Sequence, residues 1–310
     1  MAGDDKLTFK RVAVIGPGLI GASLSLALRE AGAAAEIVGY DREASVAERA
    51  AELGVVDRAA SDFAAAVADA DLIILATPVG AIADLCKLLD AHAPPGALVI
   101  DVGSVKGAVA DAAAGLRDDI LFVPCHPVAG TEQSGPDAGF STLFKDRWCI
   151  ITPLAREGAD YEAATAKATA LWEAAGAHVE VMDAAHHDLA LAVTSHLPHL
   201  IAFTLVGAAD DIESVREAEI VKYSAGGFRD FTRIAASDPV MWRDVFLGNK
   251  DAVLEALSRF SEELTVLQRA IRWGDGEALY KAFARGRTLR RAIVEAGQET
   301  GAPNFGRDES

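Results

Sequence analysis

The chain is poor in several things, and each shortage excludes something. It has only three cysteines, Cys86, Cys125 and Cys149, an odd number at unpatterned spacings. That excludes a disulfide framework and leads us to expect reduced thiols and a cytoplasmic protein. Basic residues are scarce: 29 Lys and Arg stand against 46 Asp and Glu, a formal net charge of -17. Such a surface repels phosphate backbones and anionic lipids, so neither nucleic acid nor a membrane is an expected partner. Small anionic ligands are not excluded, because a few aimed donors decide those locally. The first ten residues carry two aspartates and no apolar core, so no secretory leader is expected. Val12 to Leu28 holds no charge, yet it falls short of the roughly 20 apolar residues a membrane span needs. Gly16, Pro17, Gly18 and Gly21 also interrupt it. No internal repeat is visible.

What is present is a globular chain of 310 residues, 51% hydrophobic and 24% charged, with room for two domains. Short apolar runs alternate with alanine-rich helical stretches as far as Met182. The runs are Arg11 to Ile15, Glu36 to Tyr40, Asp71 to Leu75, Ala97 to Ile100, Ile120 to Val123, Trp148 to Ile151 and His178 to Val181. Runs without polar alternation suit strands buried on both faces of a parallel sheet. A Rossmann-type, doubly wound α/β domain is therefore expected over residues 1–183. Helical patterns follow at Ala184 to Val206, Ile212 to Ser224, Val240 to Arg272 and Gly276 to Gly297. Residues 184–310 are expected to form an all-α dimerisation domain, with a frayed tail after Gln298. That half is too apolar to bury itself, so a homodimer through residues 185–297 is expected.

Gly16-Pro17-Gly18-Leu19-Ile20-Gly21 follows the first run and opens a helical stretch. Gly16 suits a tight turn, Gly18 a close approach to a pyrophosphate, and Gly21 tight packing of helix on strand. The amides that open the helix, including those of Leu19 and Ile20, would face the phosphates. The second run ends in Tyr40-Asp41, twenty residues beyond Gly21, where an acceptor for the ribose hydroxyls belongs. A carboxylate there repels a 2′-phosphate, so NAD is the expected cofactor. Arg42 either lies on the adenine or binds such a phosphate. Thr77-Pro78 follows the third run, at the carboxyl edge where ligands sit in open sheets.

Four further segments carry polar groups: Asp101-Val-Gly-Ser104-Val-Lys106, Pro124-Cys-His126-Pro-Val-Ala-Gly130-Thr131-Glu132, Ser195-His196-Leu-Pro-His199, and Gly226-Gly-Phe-Arg229-Asp-Phe-Thr-Arg233. The first two follow strands, so Ser104 and His126 are expected at the same carboxyl edge. His196 and His199, with His186 and His187 nearby, could be a metal pair, but spacing places no third ligand and no metal is expected. Ser104 and Lys106 would share a face if the strand continued, yet nothing there builds an oxyanion hole. Of Arg229 and Arg233, one is expected to pair with Asp230 or Asp238 on the surface.

The segments GPGLIGAS, DVGSVK, HPVAGTEQSG, SHLPH and GGFRDFTRIAASDPVMW, in this order, resemble the prephenate/arogenate dehydrogenase family. The resemblance implies NAD-dependent oxidative decarboxylation of prephenate, arogenate or both, giving 4-hydroxyphenylpyruvate or tyrosine. It implies that His126 is the catalytic base and Ser104 its partner, hydrogen-bonding both the ring hydroxyl and the histidine or nicotinamide amide. It implies that Arg233 grips a substrate carboxylate, and that Gly226, His196, His199, Glu132 and Trp242 line the pocket, with Trp242 coming from the partner subunit. Thr131 and Glu132 are where an ammonium or a keto group would be told apart. An ordinary imidazole titrates near 6.5, so activity should fall on the acid side of about pH 6–7. Two rival readings are a β-hydroxyacid dehydrogenase, which leaves His126 and GGFRDFTR without a role, and a non-catalytic NAD-binding protein, which needs no His126–Ser104–Arg233 set.

Overall fold

The structure, a computed structural model, describes residues 7–131, 133–210 and 225–295. Six parallel strands form the main sheet, in the order β3-β2-β1-β4-β5-β6. They are β1 (Val12–Ile15), β2 (Ile37–Tyr40), β3 (Arg58–Ala59), β4 (Leu72–Leu75), β5 (Leu98–Asp101) and β6 (Leu121–Val123). The apolar runs are continuous because both faces are covered. Val12, Val14, Leu72 and Ile74 enter one buried cluster, and Ala13, Ile15, Ile73 and Leu75 enter the other. The helices on these faces include α1 (Leu19–Glu30), α2 (Ala44–Glu52), α3 (Phe63–Val67), α4 (Ile82–His92) and α5 (Lys106–Ala113). The strand order reverses between β1 and β4, which opens a crevice at their carboxyl ends.

The main sheet leaves out the last two of the apolar runs. Trp148 to Ile151 and His178 to Val181 do form strands, β8 and β9, but in a separate three-stranded sheet. Its first strand, β7 (Cys125–Pro127), pairs antiparallel with β8, and β8 pairs parallel with β9. Pro124, between β6 and β7, lacks the N–H that a continuing ladder needs, and the chain changes sheet there. Periodicity along one strand carries no information about which sheet receives it. Between β8 and β9 runs α6 (Ala159–Ala174). The two-residue β3 was too short to read from the sequence.

Beyond β9 the described chain is helical: α7 (Ala184–Leu191), a π-helical turn (Ala192–His196), α8 (Leu197–Asp210), α9 (Gly226–Thr232), a 3₁₀ turn (Arg233–Ala236), α10 (Pro239–Gly248), α11 (Lys250–Trp273) and α12 (Gly276–Glu295). Asp183 caps α7 through the His186 amide (2.8 Å), and Asp238 caps α10 through the Met241 amide (2.7 Å). The expected helix from Ile212 to Ser224 and the tail after Gln298 lie outside the described residues. By its internal contacts the chain divides into Met1–Lys250 and Asp251–Ser310. Helices α7 to α10 fall in the first unit because α7 packs on α5, and α10 packs on the 3₁₀ turn Val79–Ala81 after β4. In the second unit α11 and α12 expose Leu264, Ile271, Trp273, Phe283 and Leu289. The stretch Ala184–Ala209 is long and apolar enough to cross a membrane by length and composition alone, and only 22% of it is buried within the chain. The uncharged stretch Val12 to Leu28 instead forms β1, the glycine turn and most of α1.

Candidate active site

At the end of β1 the backbone of Gly16 takes φ +88°, and a Cβ there would stand 2.6 Å from the Ala76 carbonyl oxygen. The turn and the neighbouring strand leave space for glycine alone. A Cβ on Gly21 would press on the Gly16 carbonyl oxygen and on Val14, so α1 can approach β1 this closely only without one. Gly18 meets nothing within 4 Å, which leaves its face open to a ligand. The amides of Leu19, Ile20 and Gly21 open α1 and have no acceptor within the helix. Asp41 follows β2 directly, and its Oδ1 is held by the Glu43 amide (2.9 Å). With Arg42, Glu48 and Ser61 it lines a cavity of about 290 Å³. Thr77, beyond β4 and before Pro78, has a buried hydroxyl with no partner among the described residues. An open glycine turn, a fixed carboxylate and an orphaned hydroxyl along one sheet edge fit a dinucleotide. A larger cleft of about 520 Å³ at Asp118, Arg156 and Asp160 contains none of the candidate residues.

The substrate side begins where β5 ends, at Asp101. Ser104 lies in the turn that follows, and Lys106 opens α5, so the two do not share a strand face. Lys106 is fully buried. Its Nζ donates to Asp101 Oδ2 (2.5 Å) and to the Cys125 carbonyl (2.7 Å). Asp101 also accepts from the amides of Gly103 (2.8 Å) and Cys125 (3.1 Å). This buried pair ties the Ser104 turn to β7, the strand that carries His126.

His126 is buried, and its Nδ1 lies 2.8 Å from His187 Nε2. His187 Nδ1 lies 2.8 Å from Asp188 Oδ1. The Asp188 carboxylate is itself fixed by the amides of Lys106 and Gly107, both at 2.8 Å, at the start of α5. An ionised carboxylate only accepts, so His187 presents its Nδ1–H to Asp188 and, when neutral, a lone pair at Nε2. His126 Nδ1–H donates to that lone pair, which leaves His126 Nε2 as a lone pair too. Burial pushes the His126 pKa well below the usual imidazole value, helped by the nearby cationic forms of His187, Lys106 and His196. Ser104 makes no hydrogen bond to His126; the partner the ring has is His187.

Beside this line lie the other two histidines. His196 sits in the π turn, fully buried, and burial takes its pKa down to about 4. His199 stacks on Trp242 at 3.7 Å between ring centroids, and its Nδ1 lies 2.9 Å from the Ser195 carbonyl. Its pKa is lowered by burial and by the Arg233 charge, which places that arginine in its neighbourhood. Trp242 also meets His196 edge-on at 6.1 Å and packs with Val105 and Val245. Within its own chain it lies against these histidines, because α10 is seated on Val79 and Val105. Arg229 is the surface arginine, 3.6 Å from Asp230. Gly226 opens α9. Thr131 Oγ1 accepts from the Gln133 amide (3.2 Å) in the loop after β7, and Glu132 lies outside the described residues. Among those residues no cluster of three metal-ligating side chains occurs. Sequence reasoning named His187 only as a neighbour of a possible metal pair and missed Asp188, although a His-Asp pair inside an apolar helix was a visible signal.

Comparison with known proteins points to one family. The family profile described as "Prephenate dehydrogenase, nucleotide-binding domain" matches residues 24–181, and "Prephenate dehydrogenase, dimerization domain" matches residues 183–285. The cyclohexadienyl dehydrogenase of Zymomonas mobilis is 39% identical over 92% of this chain and 96% of its own length. The prephenate dehydrogenase of Bacillus subtilis is 34% identical over 91% of this chain and 76% of its own. Among solved structures, prephenate dehydrogenase from Aquifex aeolicus, in complex with hydroxyphenyl propionate and NAD+, superposes with a TM-score of 0.82 at 32% identity, covering 94% of this chain and 100% of that one. Arogenate dehydrogenase from Synechocystis gives 0.74 at 30% identity, covering 91% and 99%.

Proposed function

The chain belongs to the prephenate dehydrogenase family, and from that premise we propose that the line Asp188–His187–His126 is its proton-accepting machinery. The protein is an NAD-dependent dehydrogenase of tyrosine biosynthesis, acting on prephenate, arogenate or both. The observation that carries the residue assignment is the buried His126, held neutral with Nε2 as a lone pair by its bond to His187.

The glycine turn Gly16 to Gly21, with the opening amides of Leu19 and Ile20, would hold the NAD pyrophosphate. Asp41 would take the ribose hydroxyls, Arg42 would lie by the adenine, and Thr77 with Pro78 would flank the nicotinamide end. When bound, NAD supplies the hydride acceptor. The substrate ring carbon that bears the hydroxyl loses hydride, and the hydroxyl proton passes to His126 Nε2. The carbon–carbon bond to the ring carboxylate then breaks, its electron pair completes the aromatic ring, and carbon dioxide leaves. His126 returns its proton to the phenolate oxygen, so the enzyme ends as it began. As Nε2 takes the proton, Nδ1–H can polarise towards His187 and Asp188, which spread the positive charge among buried groups.

Ser104 would hold the substrate hydroxyl in line. Arg233 would grip a substrate carboxylate, with His196, His199, Gly226, Thr131, Glu132 and Trp242 around it. His199 stacked on Trp242 makes a flat apolar wall suited to a six-membered ring. The enzyme is a homodimer, and we place the pairing surface on the helical part, whose apolar residues stay exposed within one chain; the cytoplasm is the compartment that fits. Purified protein incubated with NAD and prephenate, then with arogenate, tests the whole reading through NADH absorbance and released carbon dioxide. NADH formation without carbon dioxide would refute it.

A further inference from the structure

Asn249, the residue that closes α10, is buried, and nothing above gives it a function. Its Nδ2 donates to the Asp188 carbonyl (2.7 Å). A carbonyl only accepts, so the side-chain amide must turn its nitrogen to this side. The same nitrogen lies 3.1 Å from His196 Nδ1. An NH₂ group has two hydrogens, and the one not used on Asp188 is directed at the ring. His196 Nδ1 must therefore present a lone pair. A neutral imidazole carries one proton, which leaves it on Nε2.

Nε2 of His196 is buried and has no hydrogen-bond partner among the described residues. The Ser104 carbonyl is a polar neighbour that favours a proton on this ring without reaching hydrogen-bond geometry. Burial keeps the ring neutral at physiological pH, so it donates through one nitrogen only. A buried N–H without an acceptor is costly, and an acceptor atom brought by a ligand removes that cost.

We infer that Asn249 is a positioning residue that fixes His196 as a hydrogen-bond donor through Nε2, aimed at an acceptor oxygen of the bound substrate. The inference rests on the reading of His196 as a pocket residue. It adds a chemical restriction: a hydroxyl, carbonyl or carboxylate oxygen fits opposite Nε2, and an ammonium group, which only donates, does not. The side-chain ammonium of arogenate must then lie away from His196. The device is economical in chain terms, since Asn249 holds the backbone of Asp188 while Asp188 orients His187. One residue thereby aligns both histidines.

The test begins without substrate. In the full-length enzyme with ¹⁵N-labelled histidine, long-range ¹H–¹⁵N spectra report which ring nitrogen carries the proton, with the His196 signals assigned by their loss in His196→Gln. Expected is a protonated Nε2 and an unprotonated Nδ1 near neutral pH; the opposite pattern overturns the inference. Asn249→Asp replaces the donor by an acceptor and should move the proton to Nδ1. The KM for substrate should then rise on the order of tenfold, the effect of losing one hydrogen bond to a charged or strongly polar oxygen, with the KM for NAD unchanged. Asn249→Ala, which only removes the restraint, should mix the two tautomers and raise KM less; it serves if the aspartate variant does not fold. If His196→Gln raises the substrate KM while both Asn249 variants keep the Nε2–H signal and a normal KM, Asn249 does not position the ring, although the pocket reading stands. If His196→Gln itself leaves KM unchanged, the pocket reading of His196 fails, and the inference with it.

Discussion

Replacing Lys106 by methionine removes one member of an ion pair in which both side chains are completely buried. Breaking such a pair from one side costs about 3–5 kcal/mol, because the charge left behind has no water. The local contacts say where each variant falls in that range. Without Lys106, Asp101 keeps the amides of Gly103 and Cys125, at 2.8 and 3.1 Å. The cost of Lys106→Met should therefore lie near the lower limit, about 3 kcal/mol. Without Asp101, the ammonium keeps one acceptor, the Cys125 carbonyl, and two amides lose theirs. Asp101→Leu should lie near about 5 kcal/mol. The double variant removes both charges and leaves only neutral backbone groups, the two amides and the Cys125 carbonyl, without these partners, so its cost should fall below the sum, with a coupling on the order of 3 kcal/mol. Urea unfolding of the four proteins measures this, provided the slopes agree. Because Lys106 also holds the carbonyl next to His126, kcat of Lys106→Met should fall while its affinity for NAD does not. Strictly additive costs, or a single cost under about 1 kcal/mol, would refute the argument that the pair is dry and mutually dependent.

His126→Asn should fold, bind NAD and bind substrate, yet lose about 10²–10⁴-fold in kcat, the usual contribution of a general base. The neutral ring is the active form and its pKa is lowered, so activity in the unmodified enzyme should persist below pH 6.5 and fall only as the pH drops through that lowered value. That acid limb should vanish in the variant, and a limb at 6.5 or above would show that burial does not act as described. Asp41→Ser should raise the use of NADP relative to NAD; appreciable NADP turnover by the unmodified enzyme would transfer the decisive role to Arg42. Arg233→Ala should raise the substrate KM far more than it lowers kcat, by about 2–4 kcal/mol in binding, with lysine restoring only part. If Arg229→Ala has the large effect instead, the arginines are exchanged. Sedimentation should show a dimer burying more than roughly 2,000 Å², and an active monomer at micromolar concentration would contradict it.

Glycine spacing, the acid after β2, and strand runs that switch to helical patterns near residue 183 were legible because they are local. Each follows from backbone sterics or from a repeat of two or 3.6 residues along one element. Gly16 and Gly21 perform in the structure the steric tasks that their spacing implied, and Gly18 leaves its face open. His126, His196, His199 and Arg233 were legible as polar residues in apolar settings, without any indication of what they touch.

Only the tertiary structure decided those contacts. His187 lies 61 residues from His126 and reaches it because α7 packs on α5. Asp188 reaches back 82 residues to the Lys106 amide, and Asn249 lies 53 residues from His196. Such pairings depend on which elements stack, and stacking is set by the summed burial of many side chains, not by the residues that gain the contact. The same holds for the stack of Trp242 on its own chain's His199, and for the strands Trp148–Ile151 and His178–Val181, which joined a second sheet. Even the proton positions belong to this level. The sequence by itself placed one histidine, His126, just beyond the end of a strand. Which nitrogen of each buried histidine gives or takes a proton was decided by a carboxylate and an amide brought there by the fold.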